Sequence, residues 1–551
     1  MTVTGMDRSV DPTLAAVLRA TTIKALRAAG THDAIVVGAG AAGGLAALLL
    51  VEAGLRVLLL DAGLRRSTMS SLMRRFTGAT VRQLSGPVGL SVLHPALIDK
   101  ARGALRIAGR LRQPVQSRCY AWERAPDAFI DDVDCPFEVP PDRPFVWLRA
   151  RLLGGRMVIP GHGQQYYRLG PDDFLPQDGL SPPWPLRPGE LNPWYSLVER
   201  RLGLSGMRDD VPWQPDSEIA VPLELTPAEV ALRSSIIARW PGARPVMGRF
   251  APPLNALRAA ALTGRLLCRQ GAIVREIEVD TYGRVRGVVW HDQRNHTEER
   301  ASAPLVFLCA SSLESTRILL LSRSGRSPDG LGAASGALGR YLMDHVLVRA
   351  GGVGPPVSPG PAPEEGRCLY LPRFDAREFT VPGRGRGFGV QLYQIPAGST
   401  KSYFTMTSFA EMLPRPENRV TLDSNRTDAW GIPALHIDCS FSPSELAQAR
   451  DQNAALRAIA EVAKIKLSGT IQTPEVPGTS IHECGTARMG TDPENSVLDP
   501  YNQCWDAQGL YVTDGACFPS QGTQNPTLTI LALTARACDH ALRIARNNSA
   551  T

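Results

Sequence analysis

Three glycines near the start of the chain are spaced so that they could bind the phosphates of a dinucleotide. Gly38, Gly40 and Gly43 form a G-x-G-x-x-G sequence. The first glycine permits a tight turn, the second lets the backbone approach a pyrophosphate, and the third allows a helix to pack closely on a strand. Asp61 follows at the distance where an acid binds a ribose hydroxyl. The motif predicts dinucleotide binding but does not choose between NAD and FAD.

A second group of residues with chemical potential lies near the C-terminus. His482 opens the sequence HECGTARMG, and Asn525 opens the sequence NPTLT. A neutral imidazole can take a proton near neutral pH, because the ordinary pKa of histidine is ~6.5. An asparagine amide can donate a hydrogen bond to an oxygen that gains negative charge. Taken alone, His482 is more often a structural histidine, and Asn525 with Pro526 reads as the cap and first residue of a helix.

The elements that must position these residues follow from the local sequence. Residues 34–37 and 56–60 are short apolar runs on either side of an Ala/Leu-rich helix that ends at Glu52, which predicts the start of a parallel sheet. We predict a hairpin that turns at Tyr282-Gly283 and antiparallel strands over 367–440. Further predicted elements are a helical lead-in over 1–30, a strand over 305–308, helices over 314–321, 442–465 and 527–544, and a loop or boundary in the Gly/Pro cluster 351–366.

With these motifs the chain resembles the glucose–methanol–choline oxidoreductase family. That family combines the N-terminal glycine motif with an H-x-x-G-T-x-R-M-G segment, a strand that ends in Asp, and an N-P or H-P pair that opens the last helix. Those features correspond here to the segments that begin at His482, Leu510 and Asn525. The resemblance covers most of the chain and extends to 151–156 (RLLGGR), 167–168, 173–174, 184–185 and 339–345 (GRYLMDH).

The resemblance implies FAD and a site that oxidises an alcohol. His482 would be the catalytic base and Asn525 its partner, and hydride would pass to the flavin. A strand residue, Val274, would bind the adenine through its backbone. The full set of implied cofactor-binding residues is Gly38, Gly40, Ala41, Ala42, Gly43, Asp61, Ala62, Gly154, Gly155, Val274, Asp514, Gly515, Asn525, Pro526 and Thr527.

The chain departs from the family pattern after Gly154-Gly155. Family members with covalent FAD carry a histidine at the position of Ile159, so we expect non-covalent FAD. Ser311 replaces a glycine that is common after the preceding strand. His345 is expected to support structure near the site, and His162 is expected to be a loop histidine or a substrate contact.

The expected fold class is α/β. We predict an FAD-binding, Rossmann-like domain built from discontinuous segments, with an inserted α+β substrate domain that has a largely antiparallel sheet. The predicted segments are 30–110, 251–345 and 476–551 for the FAD-binding domain, 111–250 for a flavin-contacting and connecting region, and 346–475 for the substrate domain.

Composition narrows the class of protein. The net charge is +7, but the arginines are scattered among acids, which argues against a nucleic-acid partner. The ten cysteines form no C-x-x-C, and the histidines lack metal-ligand spacing, so we expect free buried thiols and no metal. With no secretory signal and no apolar run long enough to span a bilayer, the sequence predicts a cytoplasmic protein.

Alternative functions stay open at this level. The leading hypothesis is an FAD-dependent dehydrogenase or oxidase that acts on a sugar, glycoside or polyol and passes electrons to oxygen or another acceptor. The others are a lyase of the same family that splits hydroxynitriles and keeps FAD structurally, an enzyme that oxidises a non-sugar alcohol, an NAD-dependent dehydrogenase, and a non-enzymatic flavin-binding protein. The sequence identifies neither the substrate nor the oligomeric state.

Overall fold

The computed structural model of the protein describes residues 32–64, 112–122, 125–159, 165–176, 178–211, 213–357, 366–374, 387–468 and 473–550. The predicted helical lead-in and His162 lie outside these residues. Residues 65–110 of the segment predicted over 30–110 lie outside them as well.

Strands and helices are numbered along the described chain. The strands are β1 (Ala34–Val37), β2 (Val57–Asp61), β3 (Phe137–Glu138), β4 (Leu204–Gly206), β5 (Ile219–Pro222), β6 (Val246–Met247), β7 (Leu266–Gln270), β8 (Ala272–Val279), β9 (Val285–Asp292), β10 (Thr297–Ser302), β11 (Val306–Leu308), β12 (His345–Gly354), β13 (Leu369–Leu371), β14 (Phe388–Pro396), β15 (Ser402–Glu411), β16 (Arg419–Thr427), β17 (Pro433–Asp438), β18 (Lys466–Leu467) and β19 (Leu510–Val512). The helices are α1 (Ala41–Glu52), α2 (Pro171–Phe174), α3 (Asn192–Leu202), α4 (Pro227–Arg239), α5 (Ala256–Leu262), α6 (Ser312–Leu321), α7 (Pro443–Val462) and α8 (Thr527–Ala550).

A parallel sheet forms the centre of the half of the molecule that was predicted to bind a dinucleotide. Its strand order is β19-β11-β1-β2-β7, and each neighbouring pair runs parallel. The strands are continuous runs of Val, Ile and Leu that are almost wholly buried, as expected for a parallel sheet covered on both faces. Because these strands come from four distant stretches of the chain, the prediction of a discontinuous Rossmann-like domain is confirmed.

Helix α1 lies close against this sheet because the third motif glycine, Gly43, has no side chain at the contact. A Cβ on Gly43 would lie 1.8 Å from the Gly38 carbonyl oxygen, so the helix could not approach β1 with any larger residue there. Helices α5 and α8 pack against α1 on its other sides, and most residues of α1 are buried. The packing directs the start of α1 toward the end of β1, where the glycine turn lies.

Strands β8, β9 and β10 form a separate antiparallel sheet beside the parallel one. The β8–β9 connection contains Tyr282-Gly283, with Gly283 at φ +78°. The predicted hairpin is therefore confirmed. Helix α6 packs against β8 and places its first residues at the cleft described below.

The second half of the molecule is a six-stranded sheet in the order β18-β12-β15-β14-β13-β6, with antiparallel pairing throughout. Helix α7 packs against β12 and β15, and α4 packs against α7. The predicted antiparallel sheet is confirmed. Strand β6 comes from the stretch predicted to be a connecting region, so that region also contributes an edge strand.

The loop predicted over 351–366 is wrong at its start, because β12 continues to Gly354. The glycines there do not break the strand. A Cβ on Gly352 would lie 2.4 Å from the Lys466 carbonyl oxygen, so this glycine lets β18 pair closely with β12.

All ten cysteines are buried and free, as predicted. Across the stretches with described structure, no helix combines the length and apolarity needed to cross a membrane.

Candidate active site

A deep cleft opens where the carboxyl ends of β1 and β2 meet the segment 147–157 and the start of α8. The structure brings most of the predicted site residues to this cleft. Those that line it are Gly38, Gly40, Ala41, Ala42, Asp61, Ala62, Gly155, Val274, His482, Asp514, Gly515, Asn525, Pro526 and Thr527. Gly43 and Gly154 do not line it. They shape its walls instead, Gly43 through the packing of α1 and Gly154 through a turn at φ +95°.

Backbone without side chains forms the floor of the cleft. A Cβ on Gly40 would meet no protein atom within 4 Å, and a Cβ on Gly155 would come within 3.0 Å of the Gly40 Cα. Gly40 precedes the first turn of α1, whose free N–H groups favour a negatively charged ligand. The cradle therefore has the space and the polarity that the pyrophosphate of a dinucleotide requires, and the residues present fit FAD.

Asp61 ties the glycine turn to the end of β2. Its carboxylate accepts hydrogen bonds from the Ala39 N–H and the Gly63 N–H, both at 2.8 Å. Burial raises the pKa of Asp61 to about 6, against the effect of these two hydrogen bonds. The acid that the sequence assigned to a ribose hydroxyl thus also fixes the turn around it.

Asp514 has a comparable place on the opposite wall. Its side chain accepts a hydrogen bond from the Ala516 N–H at 3.0 Å, and Ser315 Oγ donates to its other oxygen at 2.5 Å. Burial raises the pKa of Asp514 to about 6. These contacts hold the strand end of β19 against the first turns of α6.

The buried Asp514 carboxyl predicts a pH dependence of defined sign. Because its pKa is raised in the folded protein, the native state keeps this proton at pH values where the unfolded chain has lost it. The free energy of unfolding of the cofactor-free protein, relative to that of Asp514→Asn, is expected to fall as pH rises from about 4 to about 6 and to stay level above. Urea denaturation of both proteins across this range measures the difference, and a difference independent of pH would contradict the assignment.

Two arginines outside the predicted set of site residues, Arg151 and Arg156, line the cleft. Arg156 donates to Glu483 at 3.0 Å and lies 3.5 Å from Ser311 Oγ, and Arg151 lies 3.7 Å from Glu314. Guanidinium groups are suited to phosphate recognition, and both of these are paired with carboxylates that also line the cleft. The RLLGGR sequence contained both residues, but nothing in it indicated that they would face the cleft.

Ser311 has φ +81°, a left-handed conformation that favours glycine. The position is the one where the family commonly has glycine. Ser311 therefore adopts a backbone conformation that is typical of glycine, and its hydroxyl contacts Arg156.

His482 lies at the end of the cleft nearest the six-stranded sheet. Its backbone is fixed from two sides, because its N–H donates to Asp344 at 3.1 Å and its carbonyl accepts from Gln521 Nε2 at 2.6 Å. The ring centroid of Phe409 lies 5.4 Å from the imidazole. These contacts hold the ring in one place while one edge of it faces Asn525.

Asn525 lies next to His482 as predicted. Its Nδ2 is 3.3 Å from His482 Nε2, and its Oδ1 accepts a hydrogen bond from Gln391 Nε2 at 2.9 Å. Gln391 thus orients the amide so that its NH₂ group points to the imidazole. Gln391 comes from β14, and no feature of the sequence marked it as a site residue.

The prediction that Asn525 caps the last helix is wrong. Helix α8 begins at Thr527, and the Pro526 carbonyl accepts from the Ile530 N–H at 3.0 Å, so Asn525 lies one residue before the capping position. Its side chain forms hydrogen bonds to His482 and Gln391 instead. This frees the amide to act at the site.

His345, which was expected to support structure near the site, directly contacts His482. Its Nδ1 lies 2.8 Å from His482 Nδ1, and its Nε2 lies 3.1 Å from the Gly522 carbonyl oxygen. Burial lowers the pKa of His345 to about 4, so the ring is neutral near neutral pH. The two imidazoles meet nearly perpendicular, at 87°.

The chain is similar to known oxidoreductases in sequence and in fold. A family model described as GMC oxidoreductase matches residues 414–534. The chain is 29% identical to 2-methyl-1,2-propanediol dehydrogenase of Mycolicibacterium austroafricanum over 72% of its own length and 81% of the relative. It is 30% identical to C-glycoside 3-oxidase of Arthrobacter globiformis over 54% of its length and 55% of the relative. Its fold is similar to that of an Aspergillus oryzae formate oxidase structure, with a TM-score of 0.62, 14% identity, and coverage of 94% and 99% of the two chains.

Proposed function

We propose that the chain is a member of the GMC oxidoreductase family and, like the enzymes of that family, oxidises a CH–OH group. The group oxidised is a hydroxyl of a sugar, glycoside or polyol, and His482 is the base. The observation that carries the proposal is the His482–Asn525 pair. Its Nε2 and Nδ2 atoms lie 3.3 Å apart at the end of a cleft that begins at a dinucleotide cradle. An alcohol oxygen placed against both atoms would meet a proton acceptor and a hydrogen-bond donor together.

Family membership implies FAD as the cofactor, and the cleft has residues to hold it. The glycine cradle around Gly40 and Gly155 would take the pyrophosphate, Asp61 and Val274 the adenosine half, and Asp514 and the 525–527 turn the flavin half. FAD, when bound, supplies a two-electron acceptor for the hydride that leaves the carbinol carbon. We propose non-covalent binding, because Ile159 is a buried hydrocarbon side chain where covalent members have histidine.

Side chains of the protein accept the hydroxyl proton of the substrate and stabilise the oxygen that loses it. His482 Nε2 removes the hydroxyl proton, so the substrate oxygen gains alkoxide character as the carbinol C–H bond breaks. Asn525 Nδ2 donates a hydrogen bond to that oxygen, and Gln391 keeps this NH₂ group directed at it. Both groups are oriented before substrate arrives, which avoids reorganisation during the reaction.

The proposed substrate class, a compound with several hydroxyl groups, is supported by the relatives. The amides near the pair are engaged within the protein, since Gln165 donates to Tyr393 and Gln391 donates to Asn525. The names of the two relatives above, a diol dehydrogenase and a glycoside oxidase, are in keeping with such a substrate.

The proposal is tested by mixing the purified holoenzyme, without oxygen, with a panel of sugars, glycosides, polyols, simple monohydric alcohols and hydroxynitriles. We expect the flavin absorbance to bleach with at least one sugar, glycoside or polyol, and faster than with the monohydric alcohols. Release of cyanide from a hydroxynitrile with the flavin left oxidised would instead identify a lyase. A colourless protein that binds NADH would contradict the assignment of FAD as the cofactor. Admitting oxygen or a dye to the reduced enzyme then distinguishes an oxidase from a dehydrogenase.

A further inference from the structure

His345 is a second histidine in direct contact with the proposed base, and no role in the reaction is otherwise assigned to it. It is the first residue of β12 and only 1% exposed. Its side chain bridges two parts of the site, because one ring nitrogen meets His482 and the other meets the backbone at Gly522. Each of these contacts restricts where the ring protons can lie.

The contact with Gly522 determines which ring nitrogen of His345 carries hydrogen. A carbonyl oxygen can only accept a hydrogen bond, so His345 Nε2, at 3.1 Å, must carry hydrogen and donate it. The opposite tautomer would place a nitrogen lone pair against the oxygen lone pairs in a buried site, at a cost of a lost hydrogen bond. A doubly protonated ring is excluded near neutral pH, because burial lowers the pKa of His345 to about 4.

The position of the ring hydrogen on His482 follows from its position on His345. A neutral His345 with hydrogen on Nε2 has an unprotonated Nδ1, which can only accept. His482 Nδ1 lies 2.8 Å away and must therefore donate, so the neutral His482 ring carries its hydrogen on Nδ1. Its Nε2 is then left without a proton, on the edge that faces Asn525 Nδ2.

We propose that His345 is a positioning residue that selects the tautomer of His482 and thereby makes Nε2 the proton acceptor. The chain of contacts runs from the Gly522 carbonyl through His345 to His482. When Nε2 takes the substrate proton, the Nδ1–H of the resulting imidazolium still donates to the neutral His345 ring. The inference rests on the proposed function, since it assigns the nitrogen that acts as base in that reaction.

Two variants with the same number and branching of side-chain heavy atoms separate this role from a structural one. His345→Asn places an amide oxygen close to the position of Nδ1, where it can accept from His482. His345→Leu has the same branched shape without an acceptor. Both variants lose the donor to Gly522 and have the same number of side-chain heavy atoms, so the loss of the Gly522 contact affects them alike.

The first readout is independent of turnover. In holoenzyme labelled with ¹⁵N-histidine, we expect His482, assigned by comparison with His482→Ala, to show a protonated Nδ1 and an unprotonated Nε2 in the wild type and in His345→Asn. In His345→Leu we expect the Nδ1–H form to lose its dominance. A wild-type His482 that is protonated on Nε2 would overturn the inference.

The second readout is the rate constant for flavin reduction by the most active polyol or sugar of the panel. We expect His345→Leu to lower it about 100-fold, with FAD content unchanged, and His345→Asn to retain most of it. Equal rates for the two variants would overturn the inference, whether both were fast or both slow. The proposed function fails separately, because it requires that His482→Ala itself abolish fast reduction.

Discussion

Replacement of His482 with alanine is expected to lower the rate constant for flavin reduction about 1000-fold, within the range that a positioned general base contributes. The variant removes the group placed 3.3 Å from Asn525 Nδ2 and leaves the hydroxyl proton without an acceptor. FAD content should not change, because the glycine cradle lies in another part of the cleft. Stopped-flow mixing without oxygen, with the flavin spectrum recorded before mixing, measures both quantities.

A matched histidine variant controls for the substitution itself. His436 is a partly buried histidine on β17 that does not line the cleft. We expect His436→Ala to reduce the flavin at close to the wild-type rate. If His482→Ala retains FAD and reduces it as fast as His436→Ala does, His482 is not the base.

Replacement of Gly40 with alanine is expected to weaken FAD binding about 100-fold, or about 2.7 kcal/mol, while the protein still folds. A Cβ at this position meets no protein atom within 4 Å, and the backbone there has φ −71°, which any residue adopts. The added methyl group would therefore lie in the cradle and obstruct only what binds there. Titration of the cofactor-free variant with FAD, followed by flavin fluorescence, gives the dissociation constant.

The control for this variant is a glycine with equal space around it but outside the cleft. A Cβ on Gly242 also meets nothing within 4 Å, and its φ is not in the left-handed region. Gly242→Ala should bind FAD like the wild type, and both variants should unfold at similar urea concentrations. Wild-type FAD affinity in Gly40→Ala would show that the pyrophosphate does not bind over this turn.

Local patterns in the sequence were sufficient to predict the nucleotide-binding half. The strands β1 and β2, the helix between them and the glycine turn all follow from contiguous residues, because a buried parallel strand is a continuous apolar run and the turn requires glycine. The β8–β9 hairpin was predictable for the same reason, since Gly283 supplies the positive φ of its turn. The resemblance to a family then joined this half to His482 and Asn525.

The partners of the proposed catalytic pair could not be predicted, because they come from distant parts of the chain. Gln391 reaches Asn525 from β14, and His345 reaches His482 from the start of β12. Nothing in the residues beside Gln391 indicates its contact, and the family motif that ends at His345 predicted a place near the site but not the contact with His482. Both contacts depend on how the six-stranded sheet packs against the cleft. The capping prediction for Asn525 failed for a related reason, since its amide forms tertiary hydrogen bonds and α8 begins at Thr527.

The central claim is that the enzyme removes a hydride from a hydroxyl-bearing carbon while His482 takes the hydroxyl proton. The most direct test compares, without oxygen, flavin reduction by a reactive polyol or sugar with reduction by the same compound deuterated at the carbon that is oxidised. We expect the flavin to bleach in both cases and several-fold more slowly with deuterium, because the C–H bond breaks in that step. A flavin that stays oxidised with every hydroxyl compound, or a rate of bleaching unaffected by deuterium when chemistry limits it, would contradict this account.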